Sequence, residues 1–158
     1  DGGQVVLHIV GPGELNLRIE LVRELDGVRY YNDSIASSPN RTIAGLNSFR
    51  EKVILIAGGK DKGISYDSLG PVINGHVKLL ILCGATAGVI RSSVEQAENY
   101  GGLEIVDVED YRQAVSLARS RAGEGDVVIL SPASTSFDRF ANFMERGRVF
   151  KEIVNGLK

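Results

Sequence analysis

Four short runs of β-forming residues constrain this chain more than any other feature: VILIAGG (Val53–Gly59), KLLILCG (Lys78–Gly84), LEIVDV (Leu103–Val108) and DVVILSP (Asp126–Pro132). Their largely unbroken apolar character is that of strands covered on both faces. Helix-like segments separate or flank them, over Thr42–Phe49, Tyr66–Ile73, Ala85–Tyr100 and Tyr111–Ala122. In the last segment Phe140, Phe143, Met144, Phe150, Ile153, Val154 and Leu157 recur at helical spacing. Strands alternating with helices predict an α/β fold: a three-layer sandwich around a mostly parallel sheet. Ahead of these runs, RIELVREL and VRYYND flank Asp26-Gly27, a dipeptide that predicts a hairpin and hence an antiparallel strand near the N-terminus.

The 158 residues suit one domain, large enough to bury roughly 70% of the unfolded chain's surface without disulfides. Residues 17–158 are read as that domain. Residues 1–16 are read as a linker or the end of a preceding one; QVVLHIV could form a strand, but GPGELN breaks it. With 18 basic and 20 acidic residues, net charge −2, there is no basic excess for nucleic acid or an anionic membrane. No segment reaches the roughly 18 apolar residues of a membrane span, and the start lacks the pattern of a signal peptide. The single cysteine, Cys83, lies in an apolar run, reads as a buried small hydrophobe, and fits a reducing, cytoplasmic setting. His8, on a possible strand, and His76, read as loop, have no zinc-type spacing.

In open α/β sheets ligands bind beyond the carboxyl ends of the strands. Those ends read NDSIASSPNRT (Asn32–Thr42), GGKDKG (Gly58–Gly63), GATAG (Gly84–Gly88) and SPASTS (Ser131–Ser136). Glycines admit close backbone approach, hydroxyls and helix N-terminal amides donate, and lysine adds charge, a mixture suited to a small anion. Plainer accounts stand beside this one. Ser38-Pro39 is a helix start, GGKDKG a solvated turn, Ser134–Ser136 a cap for the last helix, and Phe143 part of that helix's apolar stripe. No G-x-x-x-x-G-K-[ST] loop is present, and GPGELN is not G-x-G-x-x-G.

From Leu17 to Lys158 the chain resembles the C-terminal domain of the muramyl ligases, most nearly the D-glutamate-adding branch. The residues that carry the resemblance are NDS-x-A-S from Asn32, GG-x-D-K-G from Gly58, and LSPA-x-T-S-x-D-x-F-x-N-F-x-x-RG from Leu130. The resemblance implies a Rossmann-like domain that follows a UDP-sugar-binding domain and a central ATPase domain carrying the phosphate loop and the Mg2+ ligands. It implies a cytoplasmic, monomeric enzyme of peptidoglycan precursor synthesis. That enzyme would join D-glutamate to UDP-N-acetylmuramoyl-L-alanine through an acyl phosphate, and this fragment alone would be inactive, with no catalytic residue of its own. By position, Lys62 would pair with a D-glutamate carboxylate, Ser37 would donate its hydroxyl, and Ser136 would bind the side-chain carboxylate. Phe137 and Phe143 would contribute backbone contacts to the amino acid. Arg18 and Asp33 would lie near the adenine and ribose of ATP. The chain departs from the family at Ile35, where some members carry lysine, at Leu17, where histidine is frequent, and at Lys60, which can be acidic. Two alternatives stay open: another muramyl or folylpolyglutamate-type ligase domain, or a non-catalytic α/β module binding a nucleotide or a protein.

Overall fold

A computed structural model describes residues 4–8, 17–136 and 139–158. Seven strands form one sheet: β1 (Gln4–His8), β2 (Leu17–Leu25), β3 (Val28–Asn32), β4 (Val53–Ala57), β5 (Val77–Leu82), β6 (Glu104–Asp107) and β7 (Val127–Leu130). The spatial order is β1-β2-β3-β7-β4-β5-β6. Every pair from β3 to β6 is parallel, while β2 runs antiparallel to both β1 and β3. Asp26 and Gly27 both have positive φ, 53° and 78°, as a type I′ hairpin turn requires.

Among the described residues five helices cover the sheet: α1 (Pro39–Leu46), α2 (Leu69–His76), α3 (Ala87–Gln96), α4 (Tyr111–Arg121) and α5 (Phe143–Asn155). Strand pleating sorts the core into two. On one face Leu55, Leu80, Val127 and Ile129 pack with Leu46, Leu69, Ile73, Ile90 and Val94 of α1–α3. On the other, Ile54, Ile56, Leu79, Ile81, Val128 and Leu130 pack with Tyr111, Val115, Ala118, Phe150 and Val154 of α4 and α5. Adjacent residues of β4 and β7 serve opposite cores, which is why their sequence reads as unbroken apolar runs. The predicted three-layer architecture is the one observed.

The helices depart from expectation at their ends. The first begins at Pro39 rather than Thr42, because Ser38 is extended at the N-cap and Pro39 presets the first turn. The second is shifted toward the C-terminus, to Leu69–His76; Tyr66 instead closes a turn, its carbonyl accepting from Leu69 N. His76, expected in a loop, ends that helix. The third is shorter than expected. The last begins at Phe143, capped by Asn142, whose side chain accepts from Glu145 N. Ser134–Ser136 therefore do not cap it, and Phe140 lies before it, stacked on Tyr111 at 5.6 Å between ring centroids. Phe143 and Met144 are not core residues: they are 37% and 66% exposed. The buried stripe of α5 is Arg146, Phe150 and Val154, at four-residue spacing.

A crevice at the carboxyl edge

The position of a ligand site follows from the topology. The connection leaving β7 runs to the α4–α5 face, while those leaving its neighbours β3 and β4 run to the α1–α3 face. Connections that diverge in this way open a crevice at the carboxyl ends, the switch point where α/β sheets bind ligands. The segments that leave the strands at this switch point are residues 32–38 after β3, 58–63 after β4 and 131–136 after β7.

The hydroxyls at the exit of β7 divide by role. Ser131 Oγ donates to Asp33 Oδ2 at 2.8 Å and lies 3.0 Å from Thr42 Oγ1. Ser134 Oγ lies 2.9 Å from Tyr66 Oη and 2.8 Å from Thr86 Oγ1, which in turn accepts from Gly59 N at 3.0 Å. Both serines are fully buried. They are spent on internal bonds, as buried polar groups must be. Thr135 accepts from Lys60 N through its carbonyl at 2.9 Å, and Gly58 N donates to Pro132 O at 2.9 Å, so the β4 and β7 exits are laced together by backbone. Gly58 has φ +110°, and a Cβ there would lie 2.2 Å from Cys83 O, so this junction requires glycine. Ala133, at φ 58°, holds the left-handed bend that turns the β7 exit, its N–H bonded to Ala36 O.

Ser136 is 3% exposed, and its carbonyl accepts from Arg139 N and Phe140 N. Its hydroxyl bonds to no described residue. Ser37 is half-buried, and Arg146 Nη2 reaches its Oγ at 3.5 Å. Phe143 opens α5, where the N–H has no intrahelical acceptor, and its carbonyl accepts from Ser34 Oγ at 2.7 Å. Lys62 is exposed beyond β4, with no ion pair among the described residues. GGKDKG is thus partly the solvated turn of the plainer account: Lys60 to Gly63 are exposed, and Asp61 Oδ1 accepts from Gly63 N at 2.8 Å. Phe137 lies outside the described residues. The backbone of Arg18 pairs with Leu7 in the sheet, and its side chain lies outside the described part.

Asp33 does not line the surface. It is 1% exposed beneath α1, and Gly45 is there to admit it, since a Cβ at Gly45 would lie 2.7 Å from Asp33 Oδ2. Burial pushes its carboxyl up to about 7, against the lowering influence of the Ser131 hydroxyl and the Arg41 charge. Its Oδ1 is buried without a hydrogen-bond partner among the described residues. A carboxylate kept at this cost marks either a functional or a strained position.

Arg146 is the residue that sequence reasoning missed. It is 1% exposed and reaches Ser34 Oγ, Ser34 O and Ser134 O at 3.0, 2.8 and 2.9 Å. The signal was present: a charged residue four positions before Phe150 and eight before Val154, on the apolar face of an amphipathic helix. Among the described residues no three His, Cys, Asp or Glu side chains gather as metal ligands, and no helix is long and apolar enough to cross a membrane. Among the described residues, four of the five exposed large hydrophobics, Ile64, Val89, Phe143 and Met144, follow the carboxyl ends of β4, β5 and β7 and so rim this same edge. An apolar rim of that kind is expected where a second surface docks.

Comparison with known proteins agrees with this architecture. The chain is 56% identical over 145 residues to the UDP-N-acetylmuramoylalanine–D-glutamate ligase of Ruminiclostridium cellulolyticum, covering 89% of this chain and 31% of that protein. It is 59% identical to the ligase of the same name from Acetivibrio thermocellus, with the same coverage. The chain therefore spans about a third of the length of these relatives. Among solved structures, a murein peptide ligase from Psychrobacter arcticus superposes with TM-score 0.57 at 13% identity, over 87% of this chain and 30% of that one. A UDP-N-acetylmuramoyl-L-alanyl-D-glutamate–2,6-diaminopimelate ligase superposes with TM-score 0.56 at 16% identity, over 95% and 33%. At such identities the superpositions speak for the fold alone. The family described as Mur ligase, glutamate ligase domain, matches residues 17–134, and the chain belongs to that family.

Proposed function

We propose that this chain is the amino-acid-delivering C-terminal domain of an ATP-dependent ligase that joins D-glutamate to UDP-N-acetylmuramoyl-L-alanine in peptidoglycan precursor synthesis. The observation that carries the reading is the convergence of three donor-bearing walls on the switch-point crevice. D-Glutamate brings two carboxylates, so its site needs fixed positive charge and several donors. In this reading Lys62 supplies the charge. Ser37 and Ser136 supply hydroxyl protons, and the Phe143 N–H adds a donor at the positive end of α5. Phe137 would add a backbone contact beside Ser136.

ATP supplies activation of the alanine carboxylate as an acyl phosphate. No phosphate loop in the sequence and no carboxylate cluster among the described residues would hold ATP phosphates or Mg2+, and in this reading both are bound by domains beyond this chain. Arg18 and Asp33 are the residues proposed to face the nucleotide when the domains close. Asp33, buried as it is, would act through the β3 exit it anchors. The chain's own task is then orientation, holding the amine toward an acyl group carried elsewhere. The apolar rim supports a docked, closed state in which water is excluded. The alternative of a non-catalytic module has no observation in its favour.

The test is turnover of the full-length gene product with UDP-N-acetylmuramoyl-L-alanine, ATP and a panel of amino acids. Phosphate release dependent on D-glutamate supports the reading. Release with L-alanine, L-lysine or diaminopimelate in its place would redirect it to another branch of the family.

A further inference from the structure

We propose that Arg146 is a positioning residue of this crevice: from beneath, it sets the separation of the Ser37 and Ser136 hydroxyls and thereby the affinity for the incoming amino acid. The inference rests on the amino-acid reading above. The guanidinium is 1% exposed, and in this proposal its influence passes through what it holds.

What it holds is all three walls. Nε donates to Ser34 Oγ at 3.0 Å, and Nη2 donates to Ser34 O at 2.8 Å and reaches Ser37 Oγ at 3.5 Å, fixing the β3 exit. Nη1 donates to Ser134 O at 2.9 Å, two residues before Ser136 on the β7 exit. A Cβ on Gly59 would lie 3.3 Å from the same Nη1, so the β4 exit is packed against it as well. Ser34 carries the link further. Its lone pair takes the Nε–H while its own proton goes to Phe143 O at 2.7 Å, which ties the first turn of α5 into the assembly. Gly147 lets α5 come this close, since a Cβ there would lie 2.8 Å from Asn32 Nδ2.

A rigid planar fork can hold several acceptors at fixed spacing, whereas an ammonium group is a single point on a flexible stem. The Nη2 contact at 3.5 Å makes Ser37 Oγ an acceptor, which leaves the Ser37 proton available to a ligand. Arg146→Lys therefore keeps the buried charge and removes the geometry.

The experiment measures KM for each substrate, kcat and Tm for the full-length protein, its Arg146→Lys and Ser37→Ala variants and the double variant. Arg146→Lys is expected to raise KM for D-glutamate on the order of 10-fold. KM for ATP and for the UDP-sugar substrate stays unchanged, and Ser37→Ala costs less in the lysine background than alone. Ser34→Ala, which severs the same link from the other side, should give the same pattern and serves if the lysine variant does not fold. Three results would overturn the proposal: an equal rise in all three KM values, a lower Tm with unchanged KM, or full multiplication of the Ser37 and Arg146 effects. If the unmodified protein turns over with a different amino acid, the assignment of D-glutamate fails, and the same variants assayed with that amino acid judge Arg146. If turnover needs no amino acid at all, both readings fall.

Discussion

The exits of β7 and β4 stand side by side at one edge of the sheet, yet they are built differently. The β7 exit, Ser131 to Ser136, is almost wholly buried, and Ser131 and Ser134 are bonded inward to Asp33, Thr42, Tyr66 and Thr86. The outer part of the β4 exit, Lys60 to Gly63, is exposed and held by little more than the Lys60 N to Thr135 O bond. One wall fixes geometry and the other presents charge. The difference teaches where substitutions should register: in stability at Ser131 and Ser134 of the β7 exit, and in ligand affinity at Lys62 of the β4 exit.

The sharpest break in this contrast should come at the junction of the two walls. Gly58→Ala places a Cβ against Cys83 O in a left-handed backbone, and we expect a loss of about 3 kcal/mol or more in urea unfolding. Next in size is the Asp33 network. Its folded pKa of about 7 lies above the ordinary 3.8, so between those values the folded state binds the extra proton. Stability from this group is present below about pH 4 and lost as pH rises toward 7, by up to about 4 kcal/mol at 1.36 kcal/mol per unit. Asp33→Asn should flatten that slope in denaturant titrations at successive pH values; an unchanged slope would assign it elsewhere. Ser131→Ala removes the hydroxyl that stabilises the charged carboxylate and should cost about 2 kcal/mol at pH 8, less at pH 5. At the small end, Asp61→Ala on the exposed wall should change stability by no more than about 0.5 kcal/mol.

The sheet was legible because burial on both faces writes itself as unbroken apolar runs, and Asp26-Gly27 announced its hairpin through the backbone it requires. Ser37, Lys62, Ser136 and Phe143 were singled out by resemblance, and the topology brings the segments that carry them to one edge of the sheet. What sequence could not show was depth. Asp33, Ser131 and Ser134 are polar residues at a strand exit, and only the packing of α1 and of the 59–86 segment against them sends them inward. Phe143 and Met144 satisfy helical spacing yet lie at the first turn of α5, ahead of the covered part of the stripe. Arg146 was hidden by the opposite error: charge suggests solvent, whereas its place in the stripe of Phe150 and Val154 put it in the core.

The most direct test of the central claim, that this edge holds the amino acid, is the KM for D-glutamate of full-length protein carrying Lys62→Ala, measured beside its Tm. Loss of a charge-assisted contact on an exposed wall should raise KM on the order of 100-fold while Tm stays unchanged. An unaltered KM would mean that Lys62 does not face the ligand and that the site lies elsewhere.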